Sequence, residues 1–598
     1  MSRALRNPFN WVIAAGVVFV AIYPLVSDDL YYQNLIILSL VFAVGAVGLN
    51  IIMGYAGYVS LGQGAFLGLG AYTVGVFSTK VGGSPFVWVP VAGVIAGLAA
   101  AFLGVVAMRA RGHAFVILTI AFLFLLQIIA TNWKDLTNGT GGMSLPIPTW
   151  SVDYQNWPFY YSLMGLLAAS LVMSWWIRRS KLGMGLIAIR EDEDKAATVG
   201  VNTRAYKILG FTASAVFVGM AGGVYGYYLT FIDPQGMFNI LLSVQIVLSL
   251  LLGGRATLWG PVLGAFAIEW LNEFTNNDLG GGNTRLVVFG GLLALVVLFL
   301  PRGVIPSLGD LIEGRRARGK AGVVGGRIEL EERAEPVAPV APPPGPPLLE
   351  VDGLVKRFGG LRAVDGASFT VAEGTITALI GPNGSGKTTV FNLVDGTMTP
   401  QAGTVTFDGR RIDRKTPWAR AHLGVGRTFQ ITRLFREMTV LENVVAPLRS
   451  FSMRQLARDA VSGPEAARAE ELLEFVGMRQ YRDQKARALS YGQQKLVELA
   501  QVLMLDPKLI MLDEPAGGIN PTLIERIGGL IRELNAQGKT FLVVEHNMPF
   551  VLGLCSPVLV LARGKTISHG TPDEIQRDPK VLDAYLGEDF RLEQPVGV

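Results

Sequence analysis

The sequence predicts a polytopic all-α membrane domain followed by a soluble α/β domain, and two observations lead to this fold class. Residues 1–306 are dominated by long apolar runs, whereas the composition from about residue 348 onward is that of an ordinary soluble domain. Over all 598 residues, 50% are hydrophobic and only 17% are charged. An apolar half of this size cannot be a soluble core, so a membrane is its expected solvent.

The membrane half contains about ten candidate spans. A hydrocarbon core of ~30 Å is crossed by about 20 apolar residues in a helix. Such segments lie near residues 9–26, 35–54, 60–79, 86–108, 113–131, 158–177, 207–231, 239–254, 257–273 and 284–301. The third, eighth and ninth are short or rich in glycine, so a count of eight stays open. The first is expected to remain as an anchor, because Ser27-Asp28-Asp29 is not a small-residue cleavage site.

Basic residues predict that both ends of the membrane half are cytoplasmic. With ten spans and an inside N-terminus, most loop cations fall inside, namely Arg109, Arg111, Arg178, Arg179, Lys181, Arg190, Lys195, Arg204, Lys207, Arg255 and Arg302. The outside loops and span ends hold few, among them Lys80, Lys134 and Arg285. An even number of spans also returns the chain to the cytoplasm for its soluble half.

Charged and polar residues of the membrane half allow more than one interpretation. The centre of the cytoplasmic stretch 178–207, Arg190–Ala197, is either a short helix that docks on the soluble half or a solvated loop. Buried polar residues either line a solute path or join helices by hydrogen bonds, and these are Asn50, Gln63, Gln127 and Gln245. Glycine pairs at helix-packing spacing are Gly64 with Gly68, Gly93 with Gly97, and Gly219 with Gly223.

The segment 307–347 reads as a linker between the two halves. It is basic, then acidic, and carries seven prolines between Pro336 and Pro347, which favours an extended spacer. Cys555 is the single cysteine, so an intrachain disulfide is excluded and a thiolate metal cluster is not expected. The net charge of +5 is small for this length, so we interpret it as membrane topology and expect no nucleic-acid partner.

A phosphate-binding loop follows the apolar strand Thr375–Ile380 of the soluble half. The strand leads into Gly381-Pro382-Asn383-Gly384-Ser385-Gly386-Lys387-Thr388-Thr389 and then a helical stretch, the context that supports this motif. Its glycines let backbone N–H groups face phosphates, and the helix N-terminus favours their charge. We expect Lys387 to contact the β- and γ-phosphates and Thr388 to bind Mg²⁺. The other predicted nucleotide contacts are Gly381, Asn383, Gly384, Ser385, Gly386 and Thr389.

Two carboxylates end a second apolar stretch, Leu509–Glu514, which is predicted to be a buried strand. Acidic side chains after a strand this apolar are typical of a site that holds a metal ion and a water molecule. We expect Asp513 to hold Mg²⁺ through water. Glu514 is then the predicted general base that polarises the attacking water.

The soluble half resembles the ABC ATPases at several further motifs. Leu489-Ser490-Tyr491-Gly492-Gln493-Gln494-Lys495 is similar to their signature, which implies nucleotide contacts by Ser490, Gly492 and Gln493. Other family elements follow in order: Phe358 resembles the aromatic platform under adenine, Gln430 the Q-loop, Ala516–Asn520 the D-loop, and His546 the switch histidine. The resemblance implies an α/β P-loop ABC ATPase fold, ATP and Mg²⁺ as cofactors, catalytic roles for Gln430 and His546 beside Glu514, and Gln430 as a further metal ligand.

Within that class, the chain resembles the transporters for branched-chain amino acid uptake. The segments that carry the resemblance in the soluble half are Arg357–Leu361, Arg427–Gln430, Leu434–Val440, Asp513–Ala516, Gly570–Ile575 and Ala584–Glu588. Those in the membrane half are Gly48–Asn50, Gly54–Gly57, Arg109–Gly112 and Thr137–Met143, together with Arg190–Gly200, which resembles the coupling segment of the family permeases.

This resemblance implies an importer subunit in a bacterial plasma (inner) membrane, with a permease domain (1–306), a linker (307–347) and an ABC ATPase domain (348–598). Its expected solutes are branched-chain amino acids or similar small molecules. Expected partners are membrane lipid, a second permease/ATPase pair of the same or a different chain, and an extracytoplasmic solute-binding protein. The two ATPases would face each other head to tail, each signature closing the other's nucleotide. The alternatives are an exporter half-transporter and a membrane-tethered regulatory ATPase that moves nothing.

Overall fold

The computed structural model describes residues 8–107, 112–151, 154–278, 283–299, 303–304 and 346–589. Contacts divide the chain into a helical unit, Met1–Arg190 with Arg204–Arg327, and a sheet unit, Glu191–Thr203 with Ile328–Val598. The predicted linker 307–347 lies outside the described residues except for its last two positions. Arg109, Arg111 and Arg302 of the predicted cytoplasmic loops also lie outside them.

Helices account for nearly all of the regular structure before residue 300. Their bounds are α1 Pro8–Val26, α2 Leu30–Leu49, α3 Gln63–Lys80, α4 Pro85–Ala107, α5 His113–Asn132, α6 Lys134–Thr137, α7 Trp157–Arg179, α8 Lys181–Glu191, α9 Glu193–Thr198, α10 Thr203–Leu229, α11 Pro234–Met237, α12 Ile240–Gly253, α13 Gly260–Asp278 and α14 Asn283–Phe299. A π-helical turn, Asn50–Tyr55, extends α2. Two short strands, β1 Met143–Ser144 and β2 Phe231–Ile232, pair antiparallel.

Six stretches of helix in the described residues are long and apolar enough to cross a membrane. They are Leu30–Tyr55, Pro85–Ala107, His113–Asn132, Trp157–Arg179, Thr203–Leu229 and Pro234–Gly253. Two shorter apolar helices are Ala15–Val26 and Val287–Val296. All ten predicted segments coincide with helices, and the eighth, which was short in the sequence, is among the six. The total of ten spans stays a prediction.

The glycine pairs of the helical unit serve close helix packing, as predicted. A Cβ atom on Gly219 of α10 would lie 2.4 Å from the Cβ of Ala96 on α4. A Cβ atom on Gly223 would lie 2.6 Å from Cγ2 of Val74 on α3. Real Cβ atoms do not approach other atoms so closely, so these helices can pack at this distance only because glycine has no Cβ atom.

Most of the predicted buried polar residues form hydrogen bonds between segments of the helical unit. Asn50 accepts from the amide of Ala256 at 2.8 Å and donates to the carbonyl of Thr257 at 2.8 Å. Gln63 donates to Ser214 at 3.1 Å, and Gln245 donates to the buried Glu269. Gln127 differs, because it lines a cavity of about 390 Å³ with Thr131, Asn132, Gln235 and Asn239 among its walls.

The segment Glu191–Thr203 groups with the sheet unit, so the docking interpretation of this stretch is confirmed and the solvated-loop alternative is wrong. It contains the short helix α9, capped by the Asp192 side chain. Lys195 and Ala196 of this helix are fully buried. Two polar contacts hold the start of the segment, from Glu191 to the amide of Glu437 (3.1 Å) and from Asp192 to Arg433 (3.3 Å). Two more hold its end, from the carbonyl of Val199 to the amide of Leu448 (3.0 Å) and from the carbonyl of Gly200 to His422 (2.9 Å).

Two sheets and ten α-helices form most of the rest of the described sheet unit. A four-stranded antiparallel sheet has the order β4 Leu361–Ala372, β3 Pro347–Phe358, β6 Ala402–Phe407, β7 Arg410–Arg411. A six-stranded sheet has the order β12 Lys565–Gly570, β11 Val558–Ala562, β5 Ile376–Ile380, β10 Thr540–Val544, β9 Leu509–Asp513, β8 Val425–Arg427. The helices are α15 Lys387–Val394, α16 Pro417–Leu423, α17 Val440–Val445, α18 Met453–Leu456, α19 Gly463–Phe475, α20 Tyr491–Leu503, α21 Pro521–Ala536, α22 Met548–Leu554, α23 Pro572–Arg577 and α24 Pro579–Asp589.

Parallel pairing of the central strands places the predicted motifs at one edge. β8, β9, β10, β5 and β11 run parallel in that order, and only β12 is antiparallel. β5, β9 and β10 are buried at every position, as expected of apolar strands covered on both faces. Because parallel strands end at the same edge, the loops that follow β5, β8, β9 and β10 meet there.

A buried arginine anchors the helix that follows the four-stranded sheet. The Arg420 side chain is 1% exposed, and burial lowers its pKa to about 10. Its guanidinium donates to four backbone carbonyls, those of Leu393 (2.7 Å), Val394 (2.6 Å), Asp413 (3.0 Å) and Lys415 (3.0 Å). One side chain thus fixes the C-terminal end of α15 to the chain before α16.

Replacing this arginine should destabilise the sheet unit without touching the nucleotide site. Arg420→Met leaves four carbonyls without their donor, and we expect a loss on the order of 3 kcal/mol. The temperature at which ATP binding is lost should fall by several degrees. Arg468→Met is the matched control, because Arg468 pairs with Glu471 on the surface with side chains 49% and 66% exposed, and its removal should leave that temperature nearly unchanged. An equal effect of both substitutions would contradict the anchoring role.

Candidate nucleotide-binding and catalytic site

The phosphate loop lies between β5 and α15, where two glycines permit close approach of neighbouring strands. A Cβ atom on Gly381 would lie 2.0 Å from the carbonyl oxygen of Leu561 in β11. Gly386 has φ +104°, and its Cβ atom would lie 2.3 Å from the carbonyl oxygen of Ala363 in β4. Both positions therefore require glycine. Asn383 and Gly384 lie exposed at the tip of the loop, whereas Ser385 is buried.

Lys387 lies over this loop. Its ammonium donates to the carbonyls of Gly381 at 2.6 Å and Pro382 at 2.9 Å. Burial lowers the pKa of Lys387, although the carboxylates of Glu514 and Asp513 act in the opposite direction. Thr388 and Thr389 follow in the first turn of α15, with Thr388 exposed. A cation, a glycine loop and a helix N-terminus are thereby assembled on one side of the site.

Asp513 ends β9 with one oxygen bound and one available. Its Oδ2 accepts from the Arg427 guanidinium at 3.1 Å, while Oδ1 has no hydrogen-bond partner within the described residues. The buried hydroxyl of Ser385 likewise has no partner there. Burial raises the pKa of Asp513, and Arg427 opposes the shift. Available carboxylate oxygens are ligands that Mg²⁺ prefers, so Oδ1 of Asp513 fits the ion.

The three residues predicted to be catalytic are brought together. Gln430 donates from Nε2 to Oε2 of Glu514 at 2.8 Å. Nδ1 of His546 lies 3.7 Å from Oε1 of Glu514. The Glu514 backbone has φ +47°, a left-handed conformation that is strained for a residue with a side chain. Such strain at the end of a buried strand is typical of a functional position held by its surroundings.

Three further residues support these carboxylates, and the motifs did not single them out. Arg427 is 4% exposed and joins Asp513 to Asp395, whose Oδ2 accepts at 2.5 Å. Lys495 donates from Nζ to the carbonyl of Glu514 at 2.8 Å. The buried Glu545 accepts from the amides of three loop residues, Ala516 (2.6 Å), His546 (3.0 Å) and Asn547 (3.1 Å). Arg427 and Lys495 lie inside motifs, and Glu545 is adjacent to His546, so only sequence proximity could have suggested them.

The signature begins helix α20. Ser490 caps this helix, accepting from the amide of Gln493 and donating its own amide to Oε1 of Gln493 at 2.9 Å. A Cβ atom on Gly492 would lie 2.4 Å from Leu523. In the described part of the chain, no hydrogen bond joins Ser490, Gly492 or Gln493 to the phosphate loop. Phe358 ends β3 with 45% of its surface exposed and has no contact with the carboxylates among those described.

A P-loop with adjoining carboxylates on a parallel sheet defines a nucleotide-hydrolysing ATPase. The chain matches the family described as ABC transporter over residues 364–517. It matches a branched-chain amino acid ATP-binding cassette family over residues 565–591. Residues 31–297, within the helical unit apart from Glu191–Thr203, match the permease component of branched-chain amino acid transport systems.

Curated relatives of the sheet unit have the same character. The high-affinity branched-chain amino acid transport ATP-binding protein LivG of Salmonella typhimurium is 41% identical over 251 residues, which are 40% of this chain and 98% of the relative. The corresponding BraF of Pseudomonas aeruginosa is 40% identical over 252 residues, with the same coverage. A crystal structure of a nucleotide-free ABC transporter cassette is 35% identical over 40% of this chain and 98% of that one, with a TM-score of 0.37.

The chain is thus a membrane protein of the ABC transporter class with a nucleotide-binding, ATP-hydrolysing part. It belongs to the branched-chain amino acid transporter family, with the permease and the ATPase joined in one chain.

Substitution of Gly386 should test the close approach in the phosphate loop. In Gly386→Ala, the new methyl would collide with the Ala363 carbonyl and displace the start of α15. We expect ATP affinity to fall about tenfold or more, equivalent to about 1.4 kcal/mol, as measured with a fluorescent ATP analogue. Gly529→Ala is the matched control, because Gly529 lies on α21 and a Cβ atom there meets nothing within 4 Å. Unchanged affinity in Gly386→Ala would contradict the requirement for glycine.

Proposed function

We propose that this chain is half of an ATP-driven importer for branched-chain amino acids or similar small solutes. The observation that carries the proposal is the presence, in one chain, of a permease match and an ATPase match from the same transport family. We assign residues 1–306 to the permease, 307–347 to the linker and 348–598 to the ATPase, with Glu191–Thr203 acting on the ATPase side. Family membership favours import over the exporter alternative.

ATP hydrolysis in this proposal uses the groups gathered at the edge of the sheet. Lys387 and the loop amides of Gly384–Thr389 bind the phosphates and stabilise the negative charge that develops on them. Glu514 accepts a proton from the attacking water, which Gln430 and His546 orient. Thr388, Gln430 and Asp513 would hold Mg²⁺, which supplies further neutralisation of phosphate charge when bound. Phe358 stacks against the adenine.

The catalytic unit we propose is a pair of ATPase parts arranged head to tail. Ser490, Gly492 and Gln493 of one copy close the nucleotide held by Lys387 of the other. A single chain then contains half of each of two composite sites and hydrolyses ATP poorly. The second copy is supplied by the same chain or by a related permease/ATPase pair. A solute-binding protein outside a bacterial plasma membrane delivers the solute.

Reconstitution in lipid vesicles tests the transport function. Addition of a solute together with its binding protein should raise the ATPase rate and drive accumulation of labelled leucine, isoleucine or valine. A regulatory ATPase that moves nothing would hydrolyse ATP without either response. ATPase activity that ignores every such solute and binding protein would therefore overturn the importer proposal.

Removing the phosphate-loop cation should abolish transport. Lys387→Ala eliminates the ammonium from the site that binds the phosphates, and we expect ATPase activity to fall by about 100-fold or more. The initial rate of solute uptake in vesicles is the measurement. Lys565→Ala serves as the control, since the Lys565 side chain is 62% exposed. Normal uptake by Lys387→Ala would refute the assignment of the loop.

Removing the general base should separate binding from hydrolysis. Glu514→Gln keeps the hydrogen-bond partner of Gln430 but cannot accept a proton, so we expect a loss of about 10² to 10⁴ in kcat with ATP still bound. Cross-linking should detect the two ATPase parts held closed on ATP. Fast turnover by this variant would place the general base elsewhere.

A further inference from the structure

Lys195 is a buried cation on the docked segment Glu191–Thr203. Its side chain is 0% exposed, and its ammonium lies 2.7 Å from Oε1 of Glu498, which is 2% exposed. The ammonium also lies 5.0 Å from the centre of the Phe429 ring. Removing two charges from water is costly, so a buried ion pair is a poor device for stability alone. A buried ion pair makes a contact specific, because neither charge tolerates burial without its partner.

Glu498 connects this pair to a second buried cation. Lys495 lies three residues earlier on α20, and residues at this spacing are neighbours on one helix face. Both side chains line a small cavity of about 30 Å³ together with Phe429 and Asp513, a volume sufficient for a water molecule. The three side chains thus alternate in charge: Lys195 is positive, Glu498 is negative and Lys495 is positive.

Lys495 contacts the backbone at Glu514, the proposed general base. Its ammonium donates to the carbonyl of Glu514 at 2.8 Å and to that of Pro515 at 3.1 Å. The Glu514 amide donates to the carbonyl of Val544 at 2.8 Å. Two bonds from a charged donor therefore help to hold the strained φ of +47° at Glu514. A change in the position of Lys495 would change the orientation of the Glu514 carboxylate.

We propose that Lys195, Glu498 and Lys495 form a charge line that positions Glu514 according to the docking of segment Glu191–Thr203. When Lys195 neutralises Glu498, Lys495 is free to hold the Glu514 and Pro515 carbonyls. When the segment withdraws, the unpaired Glu498 carboxylate attracts Lys495 and loosens the turn that carries the base. Lys495 is a positioning residue in this scheme and takes no part in the chemistry. The inference rests on the proposed role of Glu514.

The scheme predicts a specific rescue. Lys195→Met removes the charge but keeps most of the side-chain volume, and it should lower kcat for ATP about tenfold with KM for ATP changed less than about twofold. Adding Glu498→Gln should restore kcat to within about threefold of the wild-type value, because the competing carboxylate is gone. A role limited to docking or to stability predicts the same rescue, because Glu498→Gln removes the unpaired buried charge. The amount of folded, ATP-binding protein is therefore measured beside kcat, and a loss of kcat that only follows a loss of folded protein would overturn the charge line.

The experiment uses the full-length chain in lipid nanodiscs, with kcat, KM and ATP binding measured for each variant. Lys508→Met is the matched control, because Lys508 pairs with Asp408 on the surface with side chains 53% and 51% exposed, and its kcat should not change. Wild-type kcat in Lys195→Met, or an equal loss in Lys195→Met and in the double variant, would overturn the charge line.

A second variant keeps the proposal testable if Lys195→Met does not fold. Lys495→Met should lower kcat at least tenfold at constant KM, and Lys495→Arg should recover part of the loss because it retains a donor. Wild-type kcat in Lys495→Met would overturn the inference. If the proposed role of Glu514 were wrong, Glu514→Gln would retain turnover in the same preparation. That result distinguishes failure of the proposed function from failure of the charge line.

Discussion

Two carboxylates at the end of a buried strand are the constraint on which the sheet unit depends. Asp513 follows four apolar residues of β9 and is itself buried, and burial raises its pKa. A carboxylate stays ionised in such a place only where charge and hydrogen bonds replace water. Arg427 and Lys387 supply that charge, and each is held by several acceptors of its own. The site is therefore a network of mutually dependent charges, each of which fixes its neighbours.

The segment Glu191–Thr203 also places a buried charge beside a charged partner. In sequence this segment interrupts the helical unit, yet it makes its contacts with the sheet unit. Lys195 of this segment is charged and fully buried, and its partner Glu498 belongs to the helix that the signature begins. A covalent extension of the permease thus contributes a charge to the interior of the ATPase.

Pattern and composition predicted most elements and the central motifs. All ten apolar segments are helices, the strands before the phosphate loop and the paired carboxylates are buried, and Gln430, Glu514 and His546 meet. Hydropathy could not fix the number of spans, because glycine-rich helices such as α3 are buried by their neighbours and need not be strongly apolar. The supporting residues Arg427, Lys495 and Glu545 were not predicted as part of the site. Their partners are distant in sequence, and Arg427 bonds to a carboxylate 86 positions away.

The sequence by itself determined the class of this protein, because a loop that binds phosphates requires particular residues in consecutive order, and a membrane span requires a continuous apolar run. Both patterns lie within a short stretch of sequence, so they can be recognised without knowledge of the fold. Only the tertiary structure decided whether the charged stretch around Lys195 was a solvated loop or a docked helix. The reason is that a charge can be buried only opposite its partner, and the partner of Lys195 lies 303 residues further along the chain.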